Sequence, residues 1–207
     1  SAENLSGANA VGIVIGYSVI VMILLLILLL FINQYRTNIF EDNTAVTFIF
    51  FNLLFMVGLS ISVVNFNAAY LYALPICIFP LITKAFFDPR LGLFVHVLTV
   101  LLIGFIAPNS FEYVVLQILA GMVTILSATE LYKRANLFIS VFQITLVYVL
   151  SYFSFYLIRS GNLSDIDYGL FGLFFINGLL TLFVQPLIYF YEKVFKLVSD
   201  VSLLELS

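Results

Sequence analysis

Ala10-Val11-Gly12-Ile13-Val14-Ile15-Gly16-Tyr17-Ser18-Val19-Ile20-Val21-Met22-Ile23-Leu24-Leu25-Leu26-Ile27-Leu28-Leu29-Leu30-Phe31-Ile32 is a run of 23 residues without a charge. As a helix it rises about 34 Å, enough to cross a hydrocarbon core of roughly 30 Å. It is too long for a signal-peptide core, and no basic residue precedes it. Within it, Gly12-x-x-x-Gly16 is a pattern that lets two helices approach closely.

The rest of the chain repeats this character. Hydrophobic residues make up 63% of the 207, charged residues 9%, and the mean hydropathy is +1.18. A soluble domain carries roughly 25% charge, so the composition is that of an integral membrane protein in contact with the lipid bilayer. Phe (23) and Tyr (12) serve both lipid contact and helix packing. Cys77 is the single cysteine, which excludes a disulfide framework and a multi-cysteine metal site within one chain. No basic run points to nucleic acid.

Seven apolar segments follow one another, at about 10–32, 44–64, 70–87, 91–107, 111–127, 136–158 and 168–191. The expected fold is an all-α membrane protein, a seven-helix transmembrane bundle over residues 1–191. Alternate connections carry Arg36; Lys84 and Arg90; Lys133 and Arg134; and Lys193 and Lys196 after the last segment. The other connections carry only Arg159, which divides the 8 basic residues seven to one. Because basic loops stay inside, the N-terminus is expected outside and the C-terminus in the cytoplasm. An odd number of spans is then required.

Pro75 and Pro80 interrupt the third segment. Each removes a backbone donor, so a kinked helix is expected there, with a broken helix lining a substrate site as the sharper alternative. The turn Lys84-Ala85-Phe86-Phe87-Asp88-Pro89-Arg90-Leu91-Gly92 separates the third and fourth segments. Pro89 suits the first position of a helix and Asp88 its N-cap, while Lys84 and Arg90 anchor the two helix ends at the cytoplasmic interface. A functional carboxylate at Asp88 is the competing reading.

His96 is the only histidine. An ionisable residue inside a span is a functional candidate by default, but alone it builds no multi-histidine metal site. Its other reading is a hydrogen bond to a neighbouring helix near the cytoplasmic surface. Asn52, Gln117, Gln143, Asn177 and Gln185 also fall inside spans, where such side chains act as interhelical glue. Gln185-Pro186 places a kink in the final helix, through which that helix could change angle and move a domain attached below it.

The closing stretch, Glu192 to Ser207, picks up charge. Val194, Leu197, Val198 and Val201 recur at helical spacing, so an amphipathic helix is expected to leave the membrane there. Ser202-Leu203-Leu204-Glu205 is a capping box, the mark of a new helix starting. Residues 192–207 are therefore expected to lead into a further, soluble domain.

Val201-Ser202-Leu203-Leu204-Glu205-Leu206-Ser207 resembles the junction that precedes the cytoplasmic HD domain of the bacterial seven-transmembrane HD phosphohydrolases, the PgpH-type cyclic-di-AMP phosphodiesterases. Phe87-Asp88-Pro89-Arg90-Leu91-Gly92-Leu93 resembles a turn between membrane helices of that family. The basic turn Glu130-Leu131-Tyr132-Lys133-Arg134 is similar in position. The resemblance implies a bacterial inner-membrane protein with an extracellular domain before the first span and an HD hydrolase after the last. The hydrolase's paired divalent metals need several His and Asp ligands, which a chain with one His does not supply, so no catalytic residue carries over to any position here. The implied role is that of a membrane anchor and transmitter, relaying an outside signal to the hydrolase, with a homodimer possible. Lys84, Asp88, Pro89, Arg90, His96, Gln185 and Pro186 are its candidate structural or transmitter positions. The alternative from another class is a small transporter subunit binding a small molecule, like the membrane component of a vitamin importer.

Overall fold

A computed structural model describes residues 2–127, 134–162 and 166–199. All regular structure among them is helical. The capping box at Ser202–Glu205, the junction 201–207 and most of the basic turn 130–134 lie outside the described residues.

Two compact units are present, 1–46 and 47–207, and their boundary falls inside one continuous helix. The first unit holds α1 (Ala2–Tyr35), the single turn α2 (Thr37–Phe40) and the first residues of α3 (Asn43–Phe66). Asp42 starts α3: its Oδ1 accepts from the Thr44 amide at 2.8 Å and the Ala45 amide at 3.3 Å, satisfying donors that the first helical turn leaves free.

In the second unit, α3 is followed by a 3-10 turn at Ala68–Ala73 and by α4 (Ile78–Phe86), α5 (Pro89–Gly104), α6 (Ser110–Ser127), α7 (Arg134–Ser160), α8 (Tyr168–Thr181) and α9 (Val184–Phe195). Among the described residues, five segments are long and apolar enough to cross a membrane, and α8 with α9 makes a sixth if that bent pair is one span. The 16 residues of α5 rise only about 24 Å. That helix is nonetheless apolar and packs between α4 and α6, with Leu91, Val95, Leu98, Val100, Leu102 and Ile103 buried. Counted with this shorter helix, the apolar segments among the described residues number seven, of which five or six are long enough to span.

The third segment is broken rather than a single kinked helix, the sharper of the two forms the sequence offered. Pro75 disfavours helical geometry at the residue before it, and Leu74 is extended, with ψ 121°. Pro80, third in α4, has no amide to offer the Ile76 carbonyl, which accepts instead from Phe79 at 3.1 Å. The last segment breaks for the same reason. Pro186 is third in α9 and cannot serve the Leu182 carbonyl four residues back. The amides of Leu182 and Phe183 bond three residues back instead, to Leu179 and Leu180, and the axes of α8 and α9 diverge by 43°. The kink expected at Gln185-Pro186 therefore lies just ahead of that pair.

The exit also departs from the helical spacing of Val194, Leu197 and Val198. Helix α9 stops at Phe195, Lys196 takes a left-handed conformation (φ 55°), and residues 196–199 are not helical. Ser199 folds back so that both its amide and its hydroxyl donate to the Glu192 carboxylate. A local hydrogen-bonded turn has outcompeted the amphipathic pattern.

Candidate functional site

Two polar arrangements and one aromatic one hold the second unit together. The first closes the break in the third segment. An unwound backbone at membrane depth leaves carbonyls without partners, which is tolerated only inside protein. Asn177 of α8, fully buried, donates from Nδ2 to the Leu74 carbonyl at 2.8 Å and to the Tyr72 carbonyl at 3.1 Å.

The second arrangement is centred on Gln117 of α6. His96 lies half-way along α5, faces the bundle interior and is fully buried. Its Nε2 is 2.8 Å from the Gln117 carbonyl. A carbonyl only accepts, so Nε2 carries the proton and the imidazole is the Nε2–H tautomer. Nδ1 has no hydrogen-bond partner among the described residues. That carbonyl is within reach because Gly121, one turn on, has no side chain: a Cβ there would run into the His96 ring. On the other side of Gln117, its Oε1 accepts from the Tyr148 hydroxyl at 2.6 Å, and the Cys77 thiol lies 3.4 Å from the same hydroxyl. Tyr148 stacks on Phe174 at 5.5 Å between centroids, which ties α8 into the cluster. Four helices and the broken segment thus meet in one neutral network.

The third arrangement surrounds Phe48. Its ring, fully buried, meets Phe86, Phe87, Tyr191 and Phe195 edge to face at centroid distances of 5.1, 5.9, 5.1 and 5.0 Å. Such pairs prefer this geometry because a ring's positive edge meets another's negative face. Phe48 therefore joins α3, the turn between α4 and α5, and the last two turns of α9.

The sequence-derived candidates fall around these arrangements. Asp88 is the N-cap of α5, its Oδ1 accepting from the Arg90 and Leu91 amides at 2.9 and 3.0 Å, with Pro89 at the first helical position. Lys84 reaches across to α6 and donates to the Ile125 carbonyl at 3.0 Å, satisfying an acceptor in the last turn of that helix. Gly92 completes the turn: a Cβ there would sit 2.8 Å from the Pro80 carbonyl, so α4 and α5 approach closely. Lys84, Asp88, Pro89 and Arg90 lie at one end of the unit, where Phe86 and Phe87 touch Phe48. Gln185 and Pro186 open α9 above the same cluster, and His96 is apart from both. At the opposite end Arg159 of α7 pairs with Glu112 of α6 at 3.9 Å.

The buried polar set among the described residues contains no Asp, Glu, Lys or Arg. No three His, Cys, Asp or Glu among them come together to hold a metal, and the one His spends its proton on a backbone carbonyl. The hydrogen bonds of Asn177, His96, Gln117 and Tyr148 hold neighbouring helices in register.

A family model described as the 7TM receptor with intracellular HD hydrolase matches residues 11–199. The chain belongs to this family. No curated protein and no solved structure matches it. The match covers nearly all of the described helices, so the polar core and the Phe48 cluster belong to a receptor's membrane bundle. Two parts of that bundle escaped the sequence reading. Phe48 is one of 23 phenylalanines, and nothing local separates it from the others. Tyr148 has no mark beyond its place on a helix face. Gln117 and Asn177 were legible as polar residues inside spans, although their partners were not.

Proposed function

We propose that this receptor bundle relays an extracellular signal to a cytoplasmic HD hydrolase that splits cyclic-di-AMP, with the paired divalent metals held in that hydrolase. The protein would sit in a bacterial inner membrane with its N-terminus outside, as the seven-to-one division of basic residues supports. The observation that carries the relay is the grip on α9. This last helix hangs below a 43° break and is held near its end by Phe48 through Tyr191 and Phe195. In the relay this helix, bent above and clamped below, would shift between two packed arrangements, and a signal would shift their populations by binding one better than the other. A homodimer would let two such helices act on two hydrolase domains together.

The transporter alternative needs the broken third segment to offer polar groups to a substrate. The carbonyls of Tyr72 and Leu74 are already taken by Asn177, which favours the transmitter. Replacing this membrane domain in the full-length protein with an unrelated seven-helix bundle tests the relay: signal-dependent hydrolysis should disappear while basal hydrolysis persists. Retention of the signal response would refute it.

A further inference from the structure

The break in the third segment leaves room between α3 and α8. On the face between α3 and α8 lies an apolar groove of about 690 Å³, bordered by Val63 and Phe66 on α3, Leu173 and Leu180 on α8, and Tyr70 and Leu74 on the broken segment. A cavity of about 120 Å³ lies beside it, lined by Leu59 of α3, Pro75 and Phe79 of the broken segment, and Leu187 and Tyr191 of α9. Leu74, the extended residue of the break, lines both. The groove uses residues 62–66 of α3 and 173–180 of α8, and the cavity takes the next turns, 52–59 of α3 and 187–191 of α9. The two spaces follow one another along these segments, with Leu74 between them.

The chemistry of these spaces selects a hydrocarbon. Two of their polar residues turn their donors to their own helix: Ser62 Oγ to the Gly58 carbonyl at 3.0 Å and Asn52 Nδ2 to the Phe48 carbonyl at 2.8 Å. The groove opens between membrane-spanning segments, where the surrounding medium is acyl chain. Phe66 and Tyr70 stack at its upper end with centroids 6.0 Å apart, as an aromatic pair at a membrane interface would. An apolar cavity of roughly 150 Å³ can hold a molecule of benzene, so a space of this size takes the end of a chain and not a headgroup.

We propose that a phospholipid acyl chain lies in the groove and passes its methyl end beside Leu74 into the cavity against Leu187 and Tyr191. The proposal stands on the lining alone and does not require the signal relay.

The test uses the full chain in vesicles of phosphatidylethanolamine and phosphatidylglycerol, with a small fraction of phosphatidylcholine carrying a diazirine at the acyl terminus. After illumination, labelled positions are mapped by mass spectrometry. The account expects labelling of Leu187, Tyr191 and Phe79 several-fold above that of Phe138 and Phe142, which are exposed on α7. It also expects Leu59→Phe, which fills the cavity, to abolish the excess at the cavity residues and leave Phe142 unchanged. Labelling of the cavity residues no stronger than that of α7 in the unaltered protein overturns the proposal, whether or not the variant folds. An excess that survives Leu59→Phe in folded protein overturns it equally.

Discussion

Phe48 and Phe195 meet edge to face, their ring centroids 5.0 Å apart and their planes at 86°. This contact joins the third helix of the chain to the final turn of α9, immediately before Lys196 reverses the backbone. Because Phe48 also touches Tyr191, Phe86 and Phe87, it links the exit helix to α3 and to the turn between α4 and α5.

Phe48→Ala should loosen that hold. Removing a buried Phe typically costs about 3–5 kcal/mol in soluble cores. Here the loss should concentrate at the end of α9, where Lys193 and Lys196 are exposed. Limited trypsin digestion should cut after Lys193 or Lys196 several-fold faster in the variant than in the unaltered protein. Equal rates would mean that the ring does not hold α9.

Asn177→Leu keeps the size of the side chain and removes the donor shared by the Leu74 and Tyr72 carbonyls. Leaving a buried acceptor unpaired costs about 1–3 kcal/mol. A drop in melting temperature in detergent should follow. Asn177→Asp should destabilise at least as much, since its acceptors would face the carbonyls.

Gly121→Ala pushes a methyl group into the His96 ring. Overpacking of this kind costs about 1–3 kcal/mol. The double variant His96→Ala with Gly121→Ala should lose less stability than the two single variants summed, because removing the ring makes room for the methyl. Additive losses in a double-mutant cycle would show that ring and glycine are not coupled.

Pro186→Ala restores an amide that can bond the Leu182 carbonyl, so the 43° bend between α8 and α9 should decrease. Spin labels at the exposed positions Phe175 and Val194 would then lie farther apart. An unchanged distance would place the cause of the bend elsewhere.

Much of this bundle was legible from local chemistry. The apolar runs marked the helices, Asp88-Pro89 marked the start of α5, and Pro75, Pro80 and Pro186 marked the interruptions. What stayed hidden depends on which helices are neighbours. Asn177 was visible as a polar residue inside a span, but its partner is a backbone break more than a hundred residues earlier. Phe48 looks like any other apolar residue until four rings from distant segments surround it. His96 needed Gly121 as its counterpart, and a glycine in a membrane helix announces no partner. The end of α9 was misread because Val194, Leu197 and Val198 keep helical spacing. The left-handed Lys196 and the bond from Ser199 to Glu192 stop the helix regardless.

The most direct test of the transmitter account is cyclic-di-AMP hydrolysis by the full-length protein in vesicles, comparing Phe48→Leu with Phe142→Leu on the exposed face of α7. Leucine preserves apolar bulk but removes every edge-to-face contact to α9. The account predicts that Phe48→Leu shifts the hydrolysis rate several-fold, in either direction, while Phe142→Leu leaves it unchanged. Identical rates in both folded variants would contradict it and reduce the bundle to an anchor.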